Sequence, residues 1–354
     1  MNKHRLWLGL FFTLFSLLFL LVGTVGAAPG DDPIVQLSSG QSEYNASQNV
    51  LITVNISNPT THTIRILKWF TPINGLEEPI FVVKVNGESV PYTGAIYKRP
   101  AATGNDYISL KSGKSVTYTV NLGDFYDLST SGQYEVSFFA ASYHLYNQKG
   151  NATFEPDSLT SESITLKVEG RAAKGKPTPP PPPPDGGTSF NACTVTQQSK
   201  LIAARQQASV YASGAEDYLL GSLVTSRYLE WFGVFDPARY GTATTHFTSI
   251  SNAWDNAGVN FDCKCKRDYY AYVYPDKPYY IYLCRVFWLA PLAGTDSQAG
   301  TLIHEMSHFY NVASTVDFVY GQTAARNLAI TNPDNAVMNA DNHEYFAENT
   351  PYLP

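Results

Sequence analysis

From about Asp31 to Glu169, apolar and polar residues alternate in short runs separated by turn residues. Val50-Leu-Ile-Thr-Val-Asn-Ile-Ser57, Ile80-Phe-Val-Val-Lys-Val85, Ser115-Val-Thr-Tyr-Thr-Val120 and Tyr134-Glu-Val-Ser-Phe-Phe139 carry the two-residue period of half-buried strands, and Asn86-Gly87 after the second run marks a hairpin turn. The pattern predicts an all-β, antiparallel, immunoglobulin-like sandwich over residues 31–169. It then stops. Residues 170–188 hold Lys174, Lys176, six consecutive prolines from Pro179 to Pro184, and Asp-Gly-Gly, the composition of an extended, exposed spacer. In residues 189–354 the period lengthens. Thr196 to about Leu220 has apolar and small residues at helical spacing and no proline, which predicts a long helix. Trp231-Phe-Gly through Asp236-Pro237 reads as a turn, and Thr242 to Asn256 as a second helix. Two tyrosine-rich runs, Tyr269–Tyr274 and Tyr279–Leu283, predict a strand pair around Pro275-Asp-Lys-Pro278, so this half is an α+β domain.

The amino terminus changes the picture from a plain two-domain chain to an exported one. Lys3 and Arg5 precede an apolar run from Leu6 to about Val22, with small residues through Ala28, the pattern of a secretory signal peptide over residues 1–28. The expected location is extracellular, without stable membrane association once the leader is gone. Losing Lys3 and Arg5 takes the formal charge from -6 to -8, which argues against nucleic acid as a partner. A monomer is expected. Cys193, Cys263, Cys265 and Cys284 all lie in the second half, an even set that reads as two disulfides in an oxidising compartment. Cys263 and Cys265 stand two apart, too strained to join, so each bonds Cys193 or Cys284 and both pairings remain open. The β-rich half has no cysteine to mask a metal, and its histidines, His62 and His144, stand alone. Inhibition by that half would have to be steric.

The chemistry concentrates in His304-Glu305-Met-Ser-His308. On a helix this spacing puts His304 and His308 on one face, where two imidazoles reach one zinc ion, and Glu305 stands beside the metal to take a proton from zinc-bound water. A catalytic zinc takes a third protein ligand. A histidine six residues after His308 would supply it in one known pattern, but Ser314 stands there. A glutamate about twenty residues on would supply it in another, and Leu328 and its neighbours do not. Asp317, nine residues after His308, is the nearest downstream carboxylate, and Tyr320 is placed to donate to a developing oxyanion. The competing use of Asp317 is to cap the helix predicted from Gln322 to about Ile330.

With Ser314-Thr315-Val-Asp317-Phe-Val-Tyr320-Gly321 following His-Glu-x-x-His, the chain resembles the deuterolysin, or aspzincin, family of zinc proteases. Cys263-Lys-Cys265, Ala271-Tyr-Val-Tyr-Pro275, Leu283-Cys284, Phe287-Trp288, Gly294-Thr-Asp-Ser-Gln-Ala-Gly300 and Asn339-Ala-Asp341-Asn-His-Glu344-Tyr-Phe extend the resemblance over residues 190–354, to the peptidyl-Lys metalloendopeptidase branch. The resemblance implies a zincin-like fold, one zinc ion held by His304, His308 and Asp317, Glu305 as general base and Tyr320 as transition-state donor. It also implies the pairings Cys193–Cys263 and Cys265–Cys284. Ser314 departs from the family's glycine, and a small backbone adjustment is expected there.

The same branch cleaves on the amino side of lysine, and its acidic lysine pocket falls on Asp341 and Glu344. Three residues apart, the two share a helix face and suit one ammonium, although Asp-x-x-Glu also serves as a helix cap. The expected partners are therefore proteins and peptides containing lysine. Self-cleavage is expected at Ala173-Lys174 or Gly175-Lys176, releasing the β-rich half as a pro-region. Two other readings compete: a broad-specificity protease in which Asp341 and Glu344 are structural, and a surface-binding protein with an inactive protease-like domain.

Overall fold

Alternating side chains build the first half of the structure, a computed structural model that describes residues 32–142, 145–146, 157–171, 183–184, 186–222 and 224–354. The leader, His144 and the two linker lysines Lys174 and Lys176 lie outside the described residues. Strands β1 (Ile34–Ser39), β2 (Glu43–Tyr44), β3 (Leu51–Ser57), β4 (Ile64–Leu67), β5 (Phe81–Val85), β6 (Glu88–Ser89), β7 (Ile96–Lys98), β8 (Tyr107–Leu110), β9 (Ser115–Asn121), β10 (Gly132–Ser142), β11 (Asp157–Thr160) and β12 (Ile164–Val168) follow one another. Two sheets dominate, in the orders β1-β3-β9 and β2-β12-β10-β5-β6. Ile52, Val54 and Ile56 of β3 and Tyr134, Val136, Phe138 and Ala140 of β10 turn inward from different sheets into one core. Asn86 and Gly87, at φ 52° and 90°, make the predicted two-residue turn between β5 and β6. One pairing departs from the antiparallel expectation: β2 runs parallel to β12, because the chain crosses between sheets after β1.

Helix α1 (Val195–Leu220) starts where Thr194 and Gln197 cap it reciprocally. Its stripe of Ala204, Ala208, Ala212 and Ala215 is fully buried, so small side chains let α3 and α4 approach closely. Helices α2 (Ser226–Phe232), α3 (Pro237–Asn256), α4 (Gln298–Ser307), α5 (Gln322–Thr331), α6 (Pro333–Ala336) and α7 (Ala340–Glu348) complete this half. The turn predicted from Trp231 begins later than expected. Tyr228, Trp231 and Phe232 share one buried helical face, and the chain turns at Gly233, whose φ of 75° and 2.1 Å clearance between a would-be Cβ and the Ala329 carbonyl oxygen both demand glycine. Cysteines 193 and 263 form one disulfide and 265 and 284 the other, as the family resemblance implied.

Strands β13 (Thr188–Asn191), β14 (Val259–Asp262), β15 (Ala271–Val273) and β16 (Tyr280–Leu283) form the sheet of the second half, in the order β13-β14-β16-β15. Only the middle of the predicted Tyr269–Tyr274 run is strand. The sheet does not end at β15. Strand β7, from the first half of the chain, pairs antiparallel with it, placing Tyr97 opposite Tyr272 and Lys98 opposite Ala271. No helix among the described residues is long and apolar enough to cross a membrane.

Candidate active site

Helix α4 is buried along its whole length, which fixes its side chains before any ligand is considered. Ser297 caps it by accepting from the Gly300 N–H at 2.9 Å, and Glu348 of α7 accepts from the Ser297 N–H and hydroxyl at 2.9 and 2.7 Å. The rings of His304 and His308 meet edge to face with centroids 4.8 Å apart. After a loop the chain returns Asp317, whose Oδ1 lies 3.3 Å from His304 Nε2 and whose Oδ2 lies 3.5 Å from His308 Nε2. Ser314 in that loop takes φ 53°. Serine thus adopts there the left-handed conformation that glycine would take more easily.

The outer ring nitrogens orient the inner ones. His308 Nδ1 donates to the Thr315 carbonyl at 2.9 Å, and Asp341 Oδ1 lies 2.8 Å from His304 Nδ1, so both Nε2 lone pairs face the space beside Asp317. His304 Nε2, His308 Nε2 and Asp317 Oδ1 are buried without hydrogen-bond partners, and one ligand atom from each of the three residues falls within 4.8 Å of the others. Two imidazoles and a carboxylate converging in this way fit a zinc ion. Burial would raise the Asp317 carboxyl, but His308 and His304 hold it well below the usual range. Asp317 does not cap α5, whose first residue follows Gly321 with no side-chain cap. Glu305 is fully buried beside this group with both oxygens unpartnered, and burial pushes its carboxyl up to about 8.

The Tyr320 hydroxyl is 2.8 Å from the Tyr97 carbonyl oxygen, 3.0 Å from Asp317 Oδ2 and 3.1 Å from Glu78 Oε1, while Arg99 Nη1 donates to it at 2.9 Å. A phenol has one proton to give, so these three acceptors compete for it. Tyr97, Glu78 and Arg99 all come from the β-rich half. Lys98, the next residue, is 1 % exposed and puts its ammonium 3.2 Å from Asp341 Oδ1 and against Glu344 Oε2. The rings of Tyr270 and Tyr345 stand 5.1 and 5.9 Å from it. Burial pushes Glu344 up, whereas Asp341, under the same burial, is pulled down by Lys98, His304 and the Gly321 N–H. Asp341 makes no capping bond at the start of α7, where Asn339 is the unbonded N-cap.

All seven residues nominated from sequence, His304, Glu305, His308, Asp317, Tyr320, Asp341 and Glu344, are thus brought into one buried neighbourhood. Sequence reasoning missed what enters it. The β-rich half does more than cover the cleft sterically, since it inserts a charged side chain and a backbone carbonyl. Glu77 adds a further tie, accepting from Arg267 Nη1 at 2.9 Å and from the Tyr269 hydroxyl at 3.2 Å. The only sequence signal for Lys98 was a lysine at the end of a short strand-like run, and nothing in its neighbours set it apart.

A family model described as "Lysine-specific metallo-endopeptidase" matches residues 222–348. The chain is 41% identical over 348 residues to an extracellular protease of Aeromonas hydrophila, covering 94% of this chain and 96% of that one. It is 33% identical over 353 residues to a peptidyl-Lys metalloendopeptidase of Grifola frondosa, covering 96% and 99% respectively. A solved zinc peptidase from Grifola frondosa is 47% identical, with 46% of this chain and 100% of that one covered and a TM-score of 0.44.

Proposed function

The chain belongs to the aspzincin family of metalloendopeptidases, and from that premise we propose that it is a secreted zinc endopeptidase that cuts on the amino side of lysine. The observation that carries the lysine preference is the seating of the Tyr97–Lys98 bond. Its strand pairs with the edge strand β15, its carbonyl oxygen meets the Tyr320 hydroxyl, and its lysine ammonium enters the pocket of Asp341 and Glu344. An extended substrate added to a sheet edge is held by backbone pairing and selected by side-chain pockets. A broad-specificity reading accounts for Asp341, which orients His304, but gives no use to Glu344, buried against the same ammonium.

His304, His308 and Asp317 would hold the zinc ion, which when bound polarises the substrate carbonyl and makes water more acidic. The protein's own groups do the rest. Asp341 and Glu344 fix the lysine, and β15 fixes the backbone. Glu305 takes the proton of the attacking water and returns it to the departing lysine nitrogen. The Tyr320 hydroxyl donates to the carbonyl oxygen as negative charge grows there.

In the unprocessed chain that cleft is filled by β7. We read residues 31–169, an immunoglobulin-like sandwich, as a pro-region that holds the protease latent by presenting a substrate-like segment, with processing in the 170–188 linker as the releasing event and residues 189–354 as the protease. Hydrolysis of a lysyl peptide by the matured enzyme tests the catalytic reading. Activity should vanish on chelation, return with added zinc, and be absent in Glu305→Gln. Activity that survives chelation contradicts it.

A further inference from the structure

The strands that the sequence shows to be rich in tyrosine align the substrate backbone through β15, but the side chains of Tyr272, Tyr274 and Tyr282 have no part in the chemistry above. Tyr272 points to the face opposite Ala271 and Val273, which are buried in the core that α4 shares. In a strand, neighbouring side chains point to opposite faces, so when Lys98 goes inward Tyr97 must go outward. There its ring meets Tyr272, its cross-strand partner, at a centroid distance of 5.2 Å and Tyr269 at 5.1 Å. Arg267 stands 5.8 Å from the centre of the same ring. Behind this contact Tyr272 is stacked on Tyr282 at 4.4 Å with the rings 4° from parallel, and Tyr274 braces both edge-on at 5.9 and 5.8 Å. The receiving surface is thus a braced aromatic shelf belonging wholly to the protease half.

We propose that Tyr269, Tyr272 and Arg267 form a second specificity site, which receives the side chain of the residue immediately before the lysine and favours aromatic residues there. This rests on the reading of Tyr97–Lys98 as a substrate-like segment. Three features support a subsite over incidental packing. Each receiving residue loses a partner when β7 leaves, Tyr97 for all three, Glu77 for Arg267 and Tyr269, and Arg99 for Tyr269, and the face turned to that half is left open. The edge strand fixes the register, so any residue preceding a seated lysine is delivered to the same place. The shelf also has a charge preference: Arg267 attracts the face of an aromatic ring and repels a lysine or arginine in that position.

The test is a set of peptides identical except for the residue before lysine, assayed by kcat/KM with the enzyme matured from the full-length chain. Tyrosine and phenylalanine should exceed glycine by about five- to twentyfold, as expected for two aromatic contacts and a cation–π contact, and arginine should fall below glycine. Tyr269→Ala and Tyr272→Ala should each flatten the aromatic preference while leaving the requirement for lysine intact, and Arg267→Ala should relieve the penalty on arginine. If Tyr272→Ala does not fold, the wild-type peptide series and the other two variants decide. No ranking at this position, with lysine still required on the far side of the bond, overturns the shelf alone. A ranking that persists in all the variants overturns the residue assignment. Loss of the lysine requirement itself would instead overturn the reading beneath it.

Discussion

Asp341 Oδ1 lies 2.8 Å from His304 Nδ1 and 3.2 Å from Lys98 Nζ, so one carboxyl oxygen touches both a metal-facing imidazole and the lysine ammonium. Its neighbour Glu344 is nearer the ammonium than the imidazole, at 3.5 Å from His304 Nδ1, and its carboxyl is free of other hydrogen bonds. The two acids should therefore fail differently. Glu344→Gln is expected to raise KM for lysyl peptides with little effect on zinc retention. Asp341→Asn should lower kcat as well and weaken zinc binding by about 10–100-fold, because the imidazole loses the group that orients it. Steady-state kinetics and competition with a metal chelator separate the two.

Lys98 should be the residue that keeps the intact chain latent. Removing it leaves two carboxylates buried without their cation, which weakens docking of β7 by several kcal/mol, on the order of a hundredfold or more in the docking equilibrium. In a full-length chain protected from linker processing by Lys174→Gln and Lys176→Gln, Lys98→Ala is expected to hydrolyse a lysyl peptide at least about tenfold faster than the same chain with Lys98. Equal latency with and without Lys98 would refute its role.

Ser314 holds φ 53°, a conformation that costs a non-glycine residue about 1 kcal/mol. Ser314→Gly should stabilise the protein by roughly 0.5–1 kcal/mol, a rise of about 1–3 °C in Tm at this size, with kcat/KM unchanged. Thermal melts and peptide assays on the same preparations read both.

His246 Nδ1 and His343 Nε2 are 3.0 Å apart in the core, and His343 Nδ1 donates to the Asn339 carbonyl at 2.9 Å. Burial pushes His246 down to about 4 and His343 down to about 3, so both are neutral in the fold. In the unfolded chain they titrate near 6.5. Between that value and about 4 the unfolded state binds more protons, so this contribution is complete above about pH 6.5 and is lost as the pH falls, by roughly 2–3 kcal/mol per imidazole at pH 4.5. Denaturant melts at pH 7.5 and pH 4.5 should show this loss, and His246→Phe should reduce it. An equal loss in the variant would place the acid sensitivity elsewhere.

Much of the site was legible because it is local. His304, Glu305 and His308 lie within one helical turn and a residue, so nominating them needed only periodicity and ligand chemistry, whereas the choice of Asp317 as third ligand over helix cap, and of Tyr320 as donor, came from the family resemblance of the second motif. The strand alternation in β3 and β10 and the Asn86-Gly87 turn were equally readable. Contacts that join distant segments were not. Nothing near Ile96-Tyr97-Lys98 announces that this strand completes a sheet more than 170 residues further along the chain, because edge pairing is made by backbone groups that every residue carries. The double duty of Asp341 was hidden for a related reason: the family resemblance implied its partnership with Glu344, and spacing was compatible with it, while His304 approaches from α4 only in the folded protein.

The most direct measurement is the sequence of new amino termini in a protein mixture digested by the matured enzyme, compared with a digest by the Glu344→Gln variant. Most new termini should begin with lysine in the wild-type digest, and this enrichment should fall sharply in the variant. New termini without lysine enrichment, or an enrichment that Glu344→Gln leaves untouched, would contradict the reading of Glu344 as part of a lysine pocket.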